Sequence, residues 1–146
     1  MFTRQLGFTL IELIMVVVIL GILSAYAMPR FADFRYEAER AAAEGGLAAV
    51  KAASAIVRAQ AIIEGKTSSL REHSVMLEGA EIRLGYGYPV ASDIAVAAGL
   101  DGFNVSISED GSVATVRTMK GSCRFTYTGP TDTTARPSTS EIECQE

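Results

Sequence analysis

Residue types that commonly carry chemistry are scarce in this chain. Its 146 residues include one histidine, His73, and two cysteines, Cys123 and Cys144. A single histidine offers little general acid–base capacity near neutral pH, and no nucleophile–histidine–acid order stands out around it. The sequence therefore argues against an enzyme, and it predicts no catalytic residue.

The cysteines and the acidic residues decide what can be said about metals. Two cysteines and one histidine cannot supply the four ligands of a structural zinc site. Asp101, Glu109 and Asp110 could be read as a calcium cluster, but Asp110 is better explained by a hairpin turn that it forms with Gly111. We therefore predict no metal and no other cofactor.

The two cysteines lie far downstream of an apolar N-terminal stretch, Phe8 to Met28, that is long enough to enter a membrane. Such a pair near the C-terminus predicts a disulfide between Cys123 and Cys144, formed in an oxidising compartment. Two free thiols in a reducing cytosol are the alternative.

The charge pattern bears on partners. The formal net charge is −4, and lysines and arginines are scattered among acidic residues rather than gathered in a basic stripe. A nucleic-acid partner is therefore not expected.

A carboxylate, Glu12, interrupts the apolar stretch from Phe8 to Met28. As a helix this stretch would be about 31 Å long, which matches a bilayer core of about 30 Å. A carboxylate inside it costs on the order of 3 kcal/mol on insertion scales. Three interpretations compete: a cleaved secretory signal, an ordinary membrane anchor, or a segment whose carboxylate meets a cation after processing and self-assembly.

The run "GFTLIELIMVVVILGIL" after a basic leader resembles the N-termini of type IV pilins and pseudopilins. In that family a prepilin peptidase cuts after the glycine and methylates the new N-terminal residue. The resemblance implies cleavage between Gly7 and Phe8, N-methylation of Phe8, and an assembly role for Glu12 beside the terminal amine of a neighbouring subunit. Pro29 matches a proline at which the family's first helix bends.

The remaining chain predicts a long helix followed by strands. Alanine-rich sequence after Pro29 continues the helix to about Gly65, with Gly45-Gly46 as a flexible or closely packed spot. Its core-facing stripe comprises Leu47, Val50, Ser54, Val57 and Ala61, widened by Ala49, Ala53 and Ile56. The predicted organisation is a leader at 1–7, a membrane and filament-core helix at 8–28, the rest of the helix at 29–64, and a sheet domain with a C-terminal disulfide loop at 65–146.

Beyond Gly65 the apolar residues alternate, which is typical of strands. We predict a hairpin turning at Glu78-Gly79-Ala80, a short helix with Ser92 as N-cap, a second hairpin turning at Asp110-Gly111, and a strand over residues 123–128. The fold class is α+β: a long bent N-terminal helix packed against an antiparallel sheet of about four strands, as in a type IV pilin-like roll.

A looser resemblance narrows the family. "GYGYPVASDIAVAAGL", "CRFTYT" and the terminal cysteine are similar to the mannose-sensitive haemagglutinin type of type IV pilin. Tyr86 and Tyr88 in this region could stack on sugars, although tyrosines beside glycine and proline more often brace a loop.

The resemblance implies a structural function. The chain would be the precursor of a major pilin, assembling with other copies into a helical filament for attachment, with motility as a further use. Its partners would be prepilin peptidase and the inner-membrane assembly machinery. Before assembly it would span the inner membrane once, with its N-terminus cytoplasmic and its head periplasmic; afterwards it would be extracellular. The alternatives are a type II secretion pseudopilin and a minor adhesive pilin that binds glycan.

Overall fold

A single long helix, α1, occupies Leu10–Ile63 and contains Pro29. The computed structural model describes residues 7–68 and 70–145. The helix ends where the sequence predicts, because Gly65 adopts a left-handed φ of 68° and the Lys66 N–H donates to the Ala61 carbonyl oxygen at 2.8 Å. The chain divides into two compact units, Met1–Glu37 and Ala38–Glu146.

The unit Ala38–Glu146 contains two antiparallel sheets. The first is three-stranded: β1 (Leu70–Leu77), β2 (Ala80–Gly85) and β3 (Tyr88–Pro89). The short helix α2 (Ile94–Ala97) leads to the second sheet, made of β4 (Phe103–Ile107), β5 (Val113–Thr118), β6 (Cys123–Thr128), β7 (Ser138–Thr139) and β8 (Glu143–Cys144). The predicted α+β class is confirmed.

The prediction of one sheet of about four strands is wrong. The turn after β2 returns the chain beside β2, where Leu84 pairs with Pro89. Proline has no N–H to donate to a further strand, so the first sheet ends at β3. The two-residue strands β7 and β8 then add to one strand, β6, and enlarge the second sheet.

Both predicted hairpins form at the expected turns. β1 and β2 pair up to Leu77 and Ala80, which leaves Glu78 and Gly79 as a two-residue turn with positive φ angles of 49° and 86°. In the second hairpin the Asp110 carboxylate accepts hydrogen bonds from the Ser108 and Ser112 hydroxyls. These bonds lower the pKa of Asp110 to about 2.

One stripe of α1 forms the helical wall of the core. Val50 packs in a cluster with the second sheet and α2, whereas Val57 and Ala61 pack in a cluster with β1 and β2. Ser54 is buried in the same stripe, as predicted, but Ile56 is 55% exposed and lies outside it. The buried stripe of α1 is therefore narrower on the side of Ile56 than the sequence predicts.

The N-cap prediction at Ser92 is wrong. Asp93 occupies the cap position of α2 and makes no side-chain capping bond. Its carboxylate is instead held by Arg83: the guanidinium donates to Oδ1 at 2.6 Å and to Oδ2 at 2.9 Å, and the Arg83 backbone N–H donates to Oδ2 at 2.9 Å. This pair ties α2 to β2.

The environment of Asp93 also sets its titration. Burial by itself raises the pKa of the carboxyl, but the hydrogen bonds from Arg83 and Ser92 outweigh burial, and the pKa is lowered. A carboxyl whose pKa is lower in the folded than in the unfolded chain contributes stability above its unfolded pKa of about 3.9. That contribution disappears as the pH falls through the folded pKa.

The two adjacent glycines of α1 differ in their surroundings. A Cβ added to Gly46 would lie 2.7 Å from Cζ of Phe103, whereas a Cβ on Gly45 would meet no atom within 4 Å. Phe103 is half-buried against the core cluster of the second sheet. The close-packed reading of this spot therefore applies to Gly46 and not to Gly45.

Substituting each glycine by alanine should change stability in opposite directions. Gly45→Ala should raise the free energy of unfolding by up to about 1 kcal/mol through helix propensity alone. Gly46→Ala should lower it by roughly 1 kcal/mol, because displacement of the Phe103 ring costs more than propensity gains. Urea titration of the detergent-solubilised chain, followed by near-ultraviolet circular dichroism, measures both. Equal effects from the two variants would contradict the assigned packing.

Asp93→Asn should lower the free energy of unfolding by roughly 1–2 kcal/mol at pH 7. The expected loss is no larger because the Arg83 side chain is largely exposed, and solvent screens its attraction to Asp93. The variant should also lose less stability than the parent between about pH 4 and pH 2, since the titrating group is gone. Urea titrations across that range provide the test, with Asp101→Asn as an exposed control. Parallel pH profiles for parent and Asp93→Asn would disprove the coupling.

Candidate assembly site

Thr9 and Glu12 form a reciprocal cap at the start of α1. The Thr9 backbone N–H and hydroxyl both donate to Oε2 of Glu12, at 2.9 and 2.7 Å. The Glu12 backbone N–H donates to the Thr9 hydroxyl at 3.3 Å. This is a capping box, in which a threonine at the N-cap and a glutamate three residues later satisfy each other's free backbone donors.

The cap uses only one of the two carboxylate oxygens. Within the described residues Oε2 accepts both bonds from Thr9, and no hydrogen bond reaches Oε1. The anion is thus partly satisfied inside its own chain and keeps one oxygen for an outside donor. Sequence reasoning missed this cap, although the pattern Thr-x-x-Glu before an apolar run was its signal.

The segment that follows the cap is apolar all round. The large side chains of residues 10–23 are exposed, from 47% for Val16 to 75% for Leu10. The Ser24 hydroxyl donates to the Leu20 carbonyl oxygen at 2.7 Å and so carries no unpaired donor. By length and composition α1 is one helix that could cross a membrane, with a mean hydropathy of 2.5 in its most apolar window.

The remaining predicted positions of this segment lie where the sequence puts them, but their roles are not tested. Gly7 and Phe8 precede the helix in irregular structure, and Pro29 lies inside α1. Residues 1–6 of the predicted leader lie outside the described residues. Cleavage after Gly7, methylation of Phe8, the assembly role of Glu12 and the bend at Pro29 stay predictions.

Cys123 and Cys144 form the predicted disulfide. The two residues are direct partners in the register of β6 and β8, so their side chains start from opposed positions. Next to them, the Arg124 guanidinium donates to Oε2 of Glu143 at 2.7 and 2.9 Å. The disulfide and this ion pair hold the C-terminal tail against β6.

The tyrosines at 86 and 88 brace a turn. Tyr86 adopts a positive φ of 51°, and its carbonyl oxygen accepts a hydrogen bond from Nη1 of Arg58 at 2.7 Å. The same guanidinium lies over the Tyr88 ring, 4.7 Å from its centroid. Gly87 leaves room for it, since a Cβ there would lie 2.2 Å from Nη1. Sequence analysis missed Arg58, because no local pattern connects a helix position to a turn this distant in the chain.

No group of three or more histidine, cysteine, aspartate or glutamate side chains that could hold a metal occurs among residues 7–68 and 70–145. Asp110, the central member of the acidic group weighed above, is engaged by Ser108 and Ser112 in its own turn.

Comparisons with known proteins give one family-model match and several named relatives. Residues 2–28 match the family model of the prokaryotic N-terminal methylation motif. The chain is 52% identical over 58 residues to the major component of a type IV narrow pilus of Thermus thermophilus, covering 40% of this chain and 50% of that protein. It is 47% identical over 70 residues to a type IV major alpha-pilin of Moraxella bovis, covering 48% and 42% respectively.

A longer and weaker match extends over the head. The chain is 29% identical over 143 residues to a fimbrial protein of Pseudomonas aeruginosa, which covers 97% of this chain and 85% of that protein. No solved structure matches. The two stronger matches span only about half of the relatives' length.

With its methylation motif, apolar first helix and α+β head, this chain is similar to members of the type IV pilin family. That family consists of structural proteins rather than enzymes, which agrees with the scarcity of catalytic residue types. The motif and the apolar helix fit a membrane-anchored precursor. The comparisons do not test the narrower resemblance to mannose-sensitive haemagglutinin pilins, and it stays a prediction.

Proposed function

We propose that this chain is the precursor of the structural subunit of a type IV pilus, and that copies assemble through the segment that Thr9 and Glu12 begin. The observation that carries the proposal is an apolar helical segment, exposed in the single chain, whose one carboxylate has an oxygen that receives no hydrogen bond from residues 7–68 and 70–145. A helix that is apolar all round needs a lipid or protein environment. The names of the Thermus and Moraxella relatives favour a pilus subunit over a secretion pseudopilin.

In this proposal prepilin peptidase removes residues 1–7 and methylates Phe8. Cleavage creates a cationic amine on Phe8, four residues before Glu12. Oε1 of Glu12 then accepts a bond from the amine of a neighbouring subunit, while Oε2 stays with Thr9. Removing one member of a buried ion pair costs about 3–5 kcal/mol, so the pair would select one axial register between neighbouring helices.

The precursor waits in the inner membrane, with residues 8–28 spanning it once and residues 65–146 in the periplasm. The capping box reduces the cost of the carboxylate in lipid, because its charge already accepts two hydrogen bonds. On assembly, neighbouring helices replace lipid around the apolar side chains, so these are not exposed to water. The filament would then be extracellular and serve attachment.

Variants of the cap separate charge from capping. Glu12→Gln keeps an acceptor for Thr9 but removes the charge, whereas Thr9→Ala removes the capping hydroxyl and keeps the charge. We expect these two variants and Glu12→Ala to insert in the membrane. The yield of sheared filaments should fall at least ~10-fold in Glu12→Gln and in Glu12→Ala, because both lack the charge. Thr9→Ala should lose far less. The measurement is filament yield relative to membrane-inserted subunit. Wild-type yield from Glu12→Gln would refute the inter-subunit ion pair.

Mass spectrometry of the mature protein tests the processing steps. A chain that begins at Phe8, carries one added methyl group and lacks two hydrogens at the cysteine pair is the expected product. Gly7→Ala provides the matched control and should accumulate as uncut precursor. A secreted product that begins after Ala27 would instead identify the segment as an ordinary signal peptide.

A further inference from the structure

The second sheet has an open edge at β4. This strand pairs with β5 on one side, and no other strand of the described chain, residues 7–68 and 70–145, pairs with its other side. Asn104, Ser106 and Ile107 of β4 are exposed, and Val105 is half-buried at the margin of the core. An edge of this kind presents backbone donors and acceptors to any extended chain that reaches it.

The register shows which residues of β4 direct their backbone groups outward. The Ser108 N–H donates to the Val113 carbonyl oxygen at 2.9 Å, and this pair continues the register of β4 with β5. Hydrogen-bonded pairs alternate along an antiparallel ladder, so Ser106 bonds to β5, whereas Val105 and Ile107 point their N–H and carbonyl groups away from it. Neither of these two N–H groups has a hydrogen-bond partner within residues 7–68 and 70–145.

The other sheet edges carry features that discourage pairing. The register of β1 is irregular between Leu70 and His73. Nζ of Lys66 also donates to the Ser74 carbonyl oxygen of β1 at 2.7 Å. β3 contains Pro89, which has no N–H, and β7 and β8, at the far side of the second sheet, have two residues each. Irregular register, lysines, prolines and short strands are the usual protection of a sheet edge.

β4 has none of these features. Its five residues, FNVSI, include no charged residue, proline or glycine. All five pair with β5 in one continuous register, so no bulge turns the edge away. An unprotected edge is a template for strand addition, and several protein domains bind extended peptides in this way. The contrast with the other edges therefore indicates that β4 is a docking strand.

The residues that flank β4 are acidic. Asp101 precedes the strand and Glu109 follows it; both are exposed, and neither has an ion-pair or hydrogen-bond partner among residues 7–68 and 70–145. Asp110 adds a third exposed carboxylate beside Glu109. Arg117 and Lys120 belong to β5 and the turn after it, on the opposite side of β4 from the open edge, and form no ion pair with these acids. The open edge is thus neutral along its length and negative at both ends.

We infer that the open edge of β4 binds an extended segment of another protein, with neutral residues at its centre and lysine or arginine at both ends. The segment would add an antiparallel strand, bonding to the N–H and carbonyl groups of Val105 and Ile107. A second copy of β4 fits less well, because antiparallel pairing would set the acidic flanks of the two copies against each other. The inference concerns the head of one copy, so its failure would leave the proposed pilus function untouched.

The test uses a synthetic peptide of alternating valine and threonine with two lysines at each end. It is titrated into the full chain in a non-ionic detergent and followed by NMR of the backbone amides. The amides of Val105 and Ile107 should shift and gain protection from hydrogen exchange, whereas those of Ser74 and Met76 on β1 should not. One short strand without deep pockets buries little area, so we expect a Kd of about 1 mM.

Two control peptides separate charge from strand pairing. One has glutamates in place of the lysines, and the other is N-methylated throughout its centre, so that it cannot donate to the carbonyl groups of β4. Each should bind at least ~10-fold more weakly than the first peptide at low ionic strength.

Variants of the chain test the same two features. Val105→Pro removes the outward N–H at the middle of the edge and leaves the bonds from β4 to β5 in place, so binding should weaken at least ~10-fold. Val105→Thr keeps the N–H and should bind like the parent. Asp101→Asn and Glu109→Gln should each weaken binding at least ~3-fold at low salt, whereas Glu141→Gln, an exposed acid outside β4 and its flanks, should have no effect. Urea midpoints show whether each variant remains folded.

The outcomes that would overturn the proposal are distinct. One is the lack of a saturable shift at Val105 and Ile107 up to about 10 mM peptide. Another is equal binding of either control peptide. Shifts of the same amides that depend on the concentration of the chain alone, without peptide, would assign the edge to a second copy and likewise reject the proposal.

Discussion

The burial of one stripe of α1 is the constraint on which the head depends. Val50 and Val57 are two helical turns apart, about 10 Å along the axis, and each enters a different core cluster. A three-stranded sheet whose third strand has two residues is marginal by itself. The helix therefore acts as a shared wall, and it brings together two sheets that do not pair with each other. The hydrogen bond from the Thr118 hydroxyl to Glu39 adds a polar link between α1 and β5.

The N-terminal part of the same helix has no buried stripe. Its apolar residues surround the axis instead of forming a stripe, so no single sheet could cover them. In such a segment a carboxylate has to be satisfied locally or by a partner, and a capping box does the first for one oxygen only. The proposed inter-subunit ion pair rests on the other oxygen, which receives no hydrogen bond from residues 7–68 and 70–145.

Local sequence patterns predicted those parts of the fold that are locally determined. Asp110-Gly111 and Glu78-Gly79 specify their own turns, and Gly65 specifies the end of α1. Where prediction was wrong, a residue distant in the chain decided the outcome. Ser92 does not cap α2 because Arg83, on β2, engages the neighbouring Asp93. The second sheet gained two short strands because the tail returns to β6.

The candidate sites divide in the same way. The disulfide could be predicted because the chain has only two cysteines to pair. Glu12 could be singled out because it is the one carboxylate in the apolar stretch from Phe8 to Met28. The role of Arg58 could not, because it joins a helix position to a turn through space. Amphipathic spacing places a stripe on α1 but does not say which edge the sheets cover, and Ile56 lies on the uncovered edge for that reason.

The disulfide stabilises the short strands β7 and β8 as well as the position of the last residues. β7 and β8 have two residues each, and such short strands contribute little stability alone. Closing a loop between cysteines 21 positions apart contributes about 3 kcal/mol in the chain-entropy model. Because β7 belongs to that loop and β8 ends it, the covalent link also limits how far both short strands can move from β6. The disulfide, which forms only under oxidising conditions, therefore completes the edge of the second sheet.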